Sequence, residues 1–389
     1  MASGRAAAMI LEAARAFRPR ILAERERIET DRRLPEELTR DLAREGFFRI
    51  FLPAAYGGLD LTPLEAMEVY EELARADASV AWCVWNGNVH WTTARLSQEV
   101  ARTIFADPDM ILANSTRPAG QAMVVEDGYR LSGRWSLVSG CQLSTWFILL
   151  SVVHEDGKPR LTPSGAPELR YVLCPAADCE IVDTWRVGGL RGTGSHDVVI
   201  RDLFVLAPYA SFYTDPVVLP DPRYAFPVHS RAASGLGMIA LGSARNAIET
   251  LVGLAVEKRH ERTSQSLRED RGAQSRLAQA EALVRSARLY LFDTVRRLWE
   301  EVMTGREATI EGCVQVRLAS WHAVSSAAQA VDLVHLTGGA TSLYESCLLE
   351  RAFRDVHATT QHIGAHPRTL ETAGRVLFGL EPDTPTHML

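Results

Sequence analysis

Lysine is nearly absent from this chain. Lys158 and Lys258 are its only lysines, so arginine supplies almost all of the positive charge. The simplest source of that bias is a GC-rich coding sequence, with no special guanidinium role implied. Acidic residues exceed basic ones by 48 to 42, and a net charge of −6 gives no reason to expect nucleic acid or an anionic membrane as a partner. No CxxC pair occurs among the six cysteines (83, 141, 174, 179, 313, 347), so neither a zinc site nor a dithiol is indicated. They read as small core residues in a reducing, cytoplasmic compartment. Long apolar runs are missing too. The longest, Trp146 to Val153, is far too short to span a bilayer. Met1 to Phe17 carries Arg5, Glu12 and Arg15, lacks the apolar centre of a signal peptide, and reads as an amphipathic helix.

What is present is the composition of a large soluble core: 47% hydrophobic and 23% charged residues over 389 positions, enough for two or three packed units. Periodicity divides the chain into three zones. Over 1–108 apolar residues recur at three and four, as in Ile10, Leu11, Ala14, Phe17 and Ile21, which predicts helices. Thr62-Pro63-Leu64-Glu65 reads as a capping box with proline at the first helical position, and Gly46 closes a helix opened at Pro35. Over 109–221 the period falls to two, with turn residues between. Asp127-Gly128 separates two runs as a hairpin, and seven or eight short strands are expected. From 222 to 389 helical periodicity returns in runs of about 232–262, 272–303 and 308–336, which implies an antiparallel bundle.

Local motifs then carry a resemblance. Phe51-Leu52-Pro53 through Tyr56-Gly57-Gly58, Leu131-Ser132-Gly133-Arg134-Trp135 with Ser139-Gly140, Gly192-Thr193-Gly194-Ser195, and Leu336-Thr337-Gly338-Gly339 with Arg351, Arg354 and Asp355 stand in one order along the chain. In that order they resemble the acyl-CoA dehydrogenase superfamily. The resemblance implies an α+β fold: an N-terminal helical domain, a central β-barrel or sandwich domain and a C-terminal antiparallel four-helix bundle, assembled as a homotetramer.

A dehydrogenase of that superfamily needs a glutamate to remove a proton as hydride passes to the flavin. Its usual place follows the pair matched by Arg354 and Asp355, yet no acid occurs between Val356 and Leu370. The less common place lies early in the first bundle helix, and nothing acidic occurs between Pro222 and Ile248. A histidine could serve, but simple acyl-CoA dehydrogenation is disfavoured. The segment Arg354 to His362 instead resembles the two-component flavin-dependent monooxygenases on the same scaffold, such as those that hydroxylate 4-hydroxyphenylacetate or oxidise dibenzothiophene. These take reduced FMN or FAD from a separate NAD(P)H-dependent reductase and load oxygen at flavin C4a as a hydroperoxide. The expected substrate is then an aromatic, polycyclic or amine small molecule. A dehydrogenase or oxidase that keeps its flavin is the alternative.

The resemblance assigns roles. His362 is the first candidate for a donor to the flavin-bound peroxide, with a capping or core histidine as the plainer reading. Ser139 is expected near flavin N5 and O4, or is only a turn former. Trp135 packs against the flavin ring or is an ordinary core aromatic. Asn114 ends a strand facing the flavin. Trp85, Asn88 and Trp91 share a face of an aromatic-rich helix that lines the substrate pocket, and His90 there orients a substrate or lies in an interface. Gly338 and Gly339 either let the backbone approach a phosphate or end a helix. Arg351 or Arg354 neutralises a flavin phosphate, or Arg354 is tied to Asp355 or Glu350. His357 points elsewhere and is structural.

Overall fold

The computed structural model describes residues 2–89, 93–219, 221–259 and 264–384. The first zone is helical as read. Helix α1 (Ala2–Asp31) runs through Pro19, and α2 (Glu36–Arg44) follows Pro35 and stops at Gly46, whose φ of +92° only glycine adopts easily. The Thr62 capping box opens α3 (Pro63–Ala76): the Thr62 hydroxyl accepts from Glu65 N and the Glu65 carboxylate accepts from Thr62 N. Such a cap stabilises the helix end by about 1 kcal/mol. Two shorter helices follow, α4 (Ala78–Gly87) and α5 (Gln98–Phe105).

The middle zone forms one mixed sheet of eight strands. Its order is β6 (Glu180–Val182), β7 (His196–Leu206), β2 (Gly128–Val138), β1 (Leu112–Val125), β3 (Trp146–Glu155), β5 (Leu169–Pro175), β8 (Ala210–Ser211), with β4 (Lys158–Pro159) paired to β3. The Asp127-Gly128 turn brings β1 and β2 together antiparallel, with Asp127 at φ +63°. Strands β1 and β3 pair in parallel, which a reading of hairpins alone does not anticipate. Trp135, Phe147, Val172 and Val198 fill the core on one side of the sheet.

Five further helices follow among the described residues: α6 (Val228–Glu257), α7 (Arg271–Met303), α8 (Ile310–Gly338), α9 (Leu348–Thr360) and α10 (Arg368–Leu377). By length and composition α6 passes for a membrane span, but Leu236, Ile239, Leu241 and Leu251 are buried in the protein. They share one core with Ile21, Tyr70 and Leu73 from the first zone and with Val324 and Val331 from α8. The two helical zones therefore pack on each other, with the sheet against their side. That junction holds the candidate site.

Candidate active site

The site is built on α4. Asp77 caps this helix, its Oδ1 accepting from Ser79 N at 2.9 Å and Val80 N at 3.1 Å. Trp82 and Trp85 then meet His362 just past the end of α9, while Asn86 faces the sheet. The helix stops at Gly87, and Asn88 is its C-cap. This corrects the expectation that Trp85, Asn88 and Trp91 share a substrate-lining face. Asn88 is buried, accepts from Ile50 N, and donates to Phe47 O and Val84 O at 2.7–2.8 Å. Its amide is spent on holding the loop after α2. His90 and Trp91 lie outside the described residues.

Ser139 ends β2 between Leu137 at φ +61° and Gly140 at φ +74°. Its hydroxyl belongs to a chain whose proton order is fixed at both ends. Trp82 Nε1–H donates to Ser139 Oγ at 3.0 Å, and the Thr193 hydroxyl donates to Leu190 O at 2.8 Å. The contacts Ser139–Ser195 (2.8 Å) and Ser195–Thr193 (2.7 Å) must then run in the same direction. Ser139 N–H is also engaged, with Leu137 O. Ser139 thus anchors Trp82 and has no free donor. Asn86 Nδ2 donates to Ser139 O at 2.9 Å, and Asn114 Nδ2 donates to Asn86 O and Oδ1 at 2.9 and 3.0 Å. These bonds tie α4 to β1 and β2. Nothing in the sequence singled out Asn86; its only signal was its place beside Trp85.

His362 follows α9 and caps a short helical turn. Its Nδ1 accepts from Gly364 N at 3.0 Å. An accepting Nδ1 leaves the proton on Nε2 in the neutral ring. Burial lowers its pKa to about 4, so the ring stays neutral in ordinary buffers. Edge contacts to Trp82 (5.5 Å between centroids) and Trp85 (5.6 Å) hold it from two sides. Among the described residues Nε2 has no hydrogen-bond partner. The result is an oriented, uncharged N–H donor at the junction of the helices and the sheet.

Trp135, by contrast, is fully buried in the sheet core and donates to Leu150 O at 2.7 Å. A Cβ on Gly120 would overlap its ring at 1.9 Å. It is a core aromatic and cannot stack on a ligand. Arg354 is likewise occupied: Nε and Nη2 meet the Glu350 carboxylate at 2.6 and 2.9 Å, Nη2 meets Glu29 at 2.9 Å, and Nη1 donates to Gly188 O. No arm of its fork is left for a phosphate. His357 pairs with Asp332 at 2.9 Å on the exposed side, away from the site.

Arg351, one turn before Arg354, lies among three acids. It meets Asp77 at 2.5 Å and Glu29 and Asp355 at 3.5 Å, and Asp355 Oδ1 accepts from Leu190 N at 2.6 Å. Burial raises the Asp355 carboxyl to about 6. One guanidinium therefore joins the cap of α4 to α9, whose end carries His362. Gly338 and Gly339 end α8, with Gly339 at φ +56°. Lys258 Nζ donates to Gly338 O and Thr341 Oγ1, and Arg276 Nε donates to Thr337 Oγ1, so two cations stand at this turn. No hydrogen bond or ring contact among the described residues links the turn to His362.

The donor set suits a flavin. The His362 Nε2–H is left free among the described residues and no carboxylate charge acts on the ring, which fits the polar edge of a flavin. Both acids of α9, Glu350 and Asp355, are turned to Arg354 and to Arg351 with Leu190 N. No cluster of potential metal ligands occurs among the described residues.

Comparison with known proteins agrees with this chemistry. The acyl-CoA dehydrogenase N-terminal domain matches residues 5–102 and the C-terminal domain matches residues 234–367. An indole-3-acetate monooxygenase of Pseudomonas putida is 30% identical over 87% of this chain and 85% of its own. The structure resembles the 3-HSA hydroxylase of Rhodococcus sp. RHA1 (TM-score 0.89, 28% identity, 97% and 99% of the two chains covered). It also resembles XiaF from Streptomyces sp. in complex with FADH2 and glycerol (TM-score 0.89, 25% identity, 98% of each chain). The chain belongs to the acyl-CoA dehydrogenase superfamily, in its branch of flavin-dependent monooxygenases.

Proposed function

We propose that this chain is the oxygenase component of a two-component system, which receives reduced flavin from a separate reductase and oxygenates an aromatic small molecule. The observation that carries this reading is His362: a neutral Nε2–H donor, set by Gly364 N and two tryptophans, where a dehydrogenase would need a base. Bound reduced flavin supplies the two electrons and the carbon at which oxygen is activated. The protein's share is electrostatic and steric. His362 offers one hydrogen bond that costs no reorganisation, and Trp82 and Trp85 exclude water around it. Asn86 and Asn114 hold the sheet against α4. Lys258 and Arg276 at the Gly338-Gly339 turn suit the flavin phosphate. The exposed apolar residues Val252 and Val256 of α6 suit burial in a homotetramer.

The test supplies protein, an NAD(P)H-driven flavin reductase, an aromatic substrate and 18O2. One labelled oxygen atom in the product is expected, with no turnover when an acyl-CoA is offered in place of oxygen and reductase. Flavin that stays bound through purification and is reduced directly by an acyl-CoA would instead establish the dehydrogenase.

A further inference from the structure

Read along the chain, the cysteines indicate no dithiol, yet the fold makes one. Cys174 Sγ and Cys179 Sγ are 3.8 Å apart, near the contact distance of two sulfurs. Cys174 is the last residue but one of β5, pairs with Phe147 of β3, and is fully buried. Pro175 ends the strand and opens a single helical turn, Ala176–Asp178. Ala176 N donates to Thr145 O at 2.9 Å and Cys179 N donates to Ala176 O at 3.1 Å, so the turn is held and Cys179 returns to Cys174. Cys179 is half-buried, and its Sγ donates to Pro175 O at 3.5 Å. The hydrogen bond with Cys179 and burial hold the Cys174 thiol well above the usual thiol range.

The contact lies across a seam in the sheet. Strands β5 and β6 are consecutive in the chain but lie toward opposite flanks of the sheet order, and no strand pairing joins them among the described residues. Val172 of β5 and Val198 of β7 share one core, so the sheet curls until its flanks approach. Cys174 belongs to that core and Cys179 packs against it. The two sulfurs therefore meet between strands that backbone hydrogen bonds leave unjoined. Cys347 offers a contrast: it is half-buried too, but has no second thiol beside it among the described residues.

We propose that Cys174 and Cys179 form a reversible redox site, which hydrogen peroxide closes to a disulfide that staples β5 to β6. Cys179 is the sulfur that solvent reaches. It attacks one peroxide oxygen, the O–O bond breaks, and a sulfenic acid and one water result. Cys174 Sγ then attacks Cys179 Sγ and the S–O bond breaks, and the oxygen leaves with the Cys174 proton as a second water. The two sulfurs give up two electrons and the peroxide takes them. Burial disfavours the Cys174 thiolate, and the fixed contact with Cys179 offsets this through proximity. The sulfurs must close from 3.8 Å to about 2.05 Å, a movement asked of Cys179 on its turn because Cys174 is set in the sheet. Reduced flavin that meets oxygen without a substrate yields hydrogen peroxide, so the oxidant is at hand. In a reducing compartment the pair returns to thiols.

Peptide mapping tests this on the full-length protein, before and after hydrogen peroxide, with free thiols alkylated ahead of digestion. Trypsin releases Tyr171 to Arg186 as one peptide that carries both cysteines and no other. After peroxide this peptide should refuse the alkylating agent and weigh less than its dithiol form by two hydrogen atoms. Dithiothreitol should restore both thiols. Cys347 should gain oxygen instead, and Cys174→Ala should bring Cys179 to the same fate. The closed protein should melt about 2–4 °C above the reduced one, and dithiothreitol should remove that gain. Oxygen gained by Cys179 in the unaltered protein, two free thiols in the peptide once Cys347 is oxidised, or a bond from either sulfur to another cysteine would overturn the proposal. A disulfide that forms without raising the melting temperature would overturn the staple. The mapping on unaltered protein decides the matter even where Cys174→Ala does not fold.

Discussion

Arg351 is buried on α9 and Arg231 is half-buried on α6, and they have opposite company. Arg351 faces Asp77, Glu29 and Asp355, while Arg231 faces the Phe51 and Phe226 rings, the Arg223 carbonyl and the unpartnered Tyr70 hydroxyl. The first belongs to the architecture, because its charge is consumed in joining α4 to α9. No carboxylate pairs with the second among the described residues. A buried ion pair is costly to break and an unpaired ion costly to keep, so the two sites should respond to mutation in opposite ways.

Replacing Arg351 by Met should have the largest effect. Three acids would then face one another without a cation, at a cost of roughly 3–5 kcal/mol. Denaturant unfolding measures this, and a loss below about 1 kcal/mol would mean that the cluster does not hold the two helices together. Asn88→Ala removes a buried amide with three bonds and should cost roughly 2–3 kcal/mol by the same measurement, with substrate affinity otherwise unchanged. An altered substrate preference would restore Asn88 to the pocket.

A pH-dependent effect comes next. His362 has a folded pKa near 4 against 6.5 for the free side chain, so below pH 6.5 the unfolded chain takes up a proton that the folded one refuses. Its contribution to stability therefore falls between pH 6.5 and 4. Asp355 acts in the other direction. Its carboxyl is raised from 3.8 to about 6, so the folded chain gains protons first and stability rises as pH falls through that window. His362→Gln removes only the first contribution. The variant should gain on the parent by roughly 1–2 kcal/mol at pH 4.5, discounted for partial exposure, and not at pH 7.5. A gap that does not depend on pH would show an ordinary histidine. Arg231→Met should change stability least, by about 1 kcal/mol or less and toward greater stability, since no acid is orphaned. A loss comparable to that of Arg351→Met would erase the distinction between the two arginines.

The sequence revealed the helices and most of the strands, because periodicity, Asp127-Gly128, Gly46 and the Thr62 box act locally. The parallel pairing of β1 with β3 was hidden, since it depends on residues brought together across the sheet. His362 was found through the acids missing around it. Trp135 and Arg354 matched motifs, but a motif does not show which partners a side chain has already taken. Arg231 looked like any arginine in a helix. Its signal was faint: an arginine on the face of α6 that continues as Gly235, Met238 and Gly242, all buried.

The claim at the centre of this account is the state of one imidazole. Heteronuclear NMR on protein with 15N-labelled histidine, with His362→Gln to assign the signal, reads both tautomer and titration. The account predicts a His362 ring protonated on Nε2 and neutral down to about pH 5. A ring protonated on Nδ1, or one that titrates near 6.5, would contradict it.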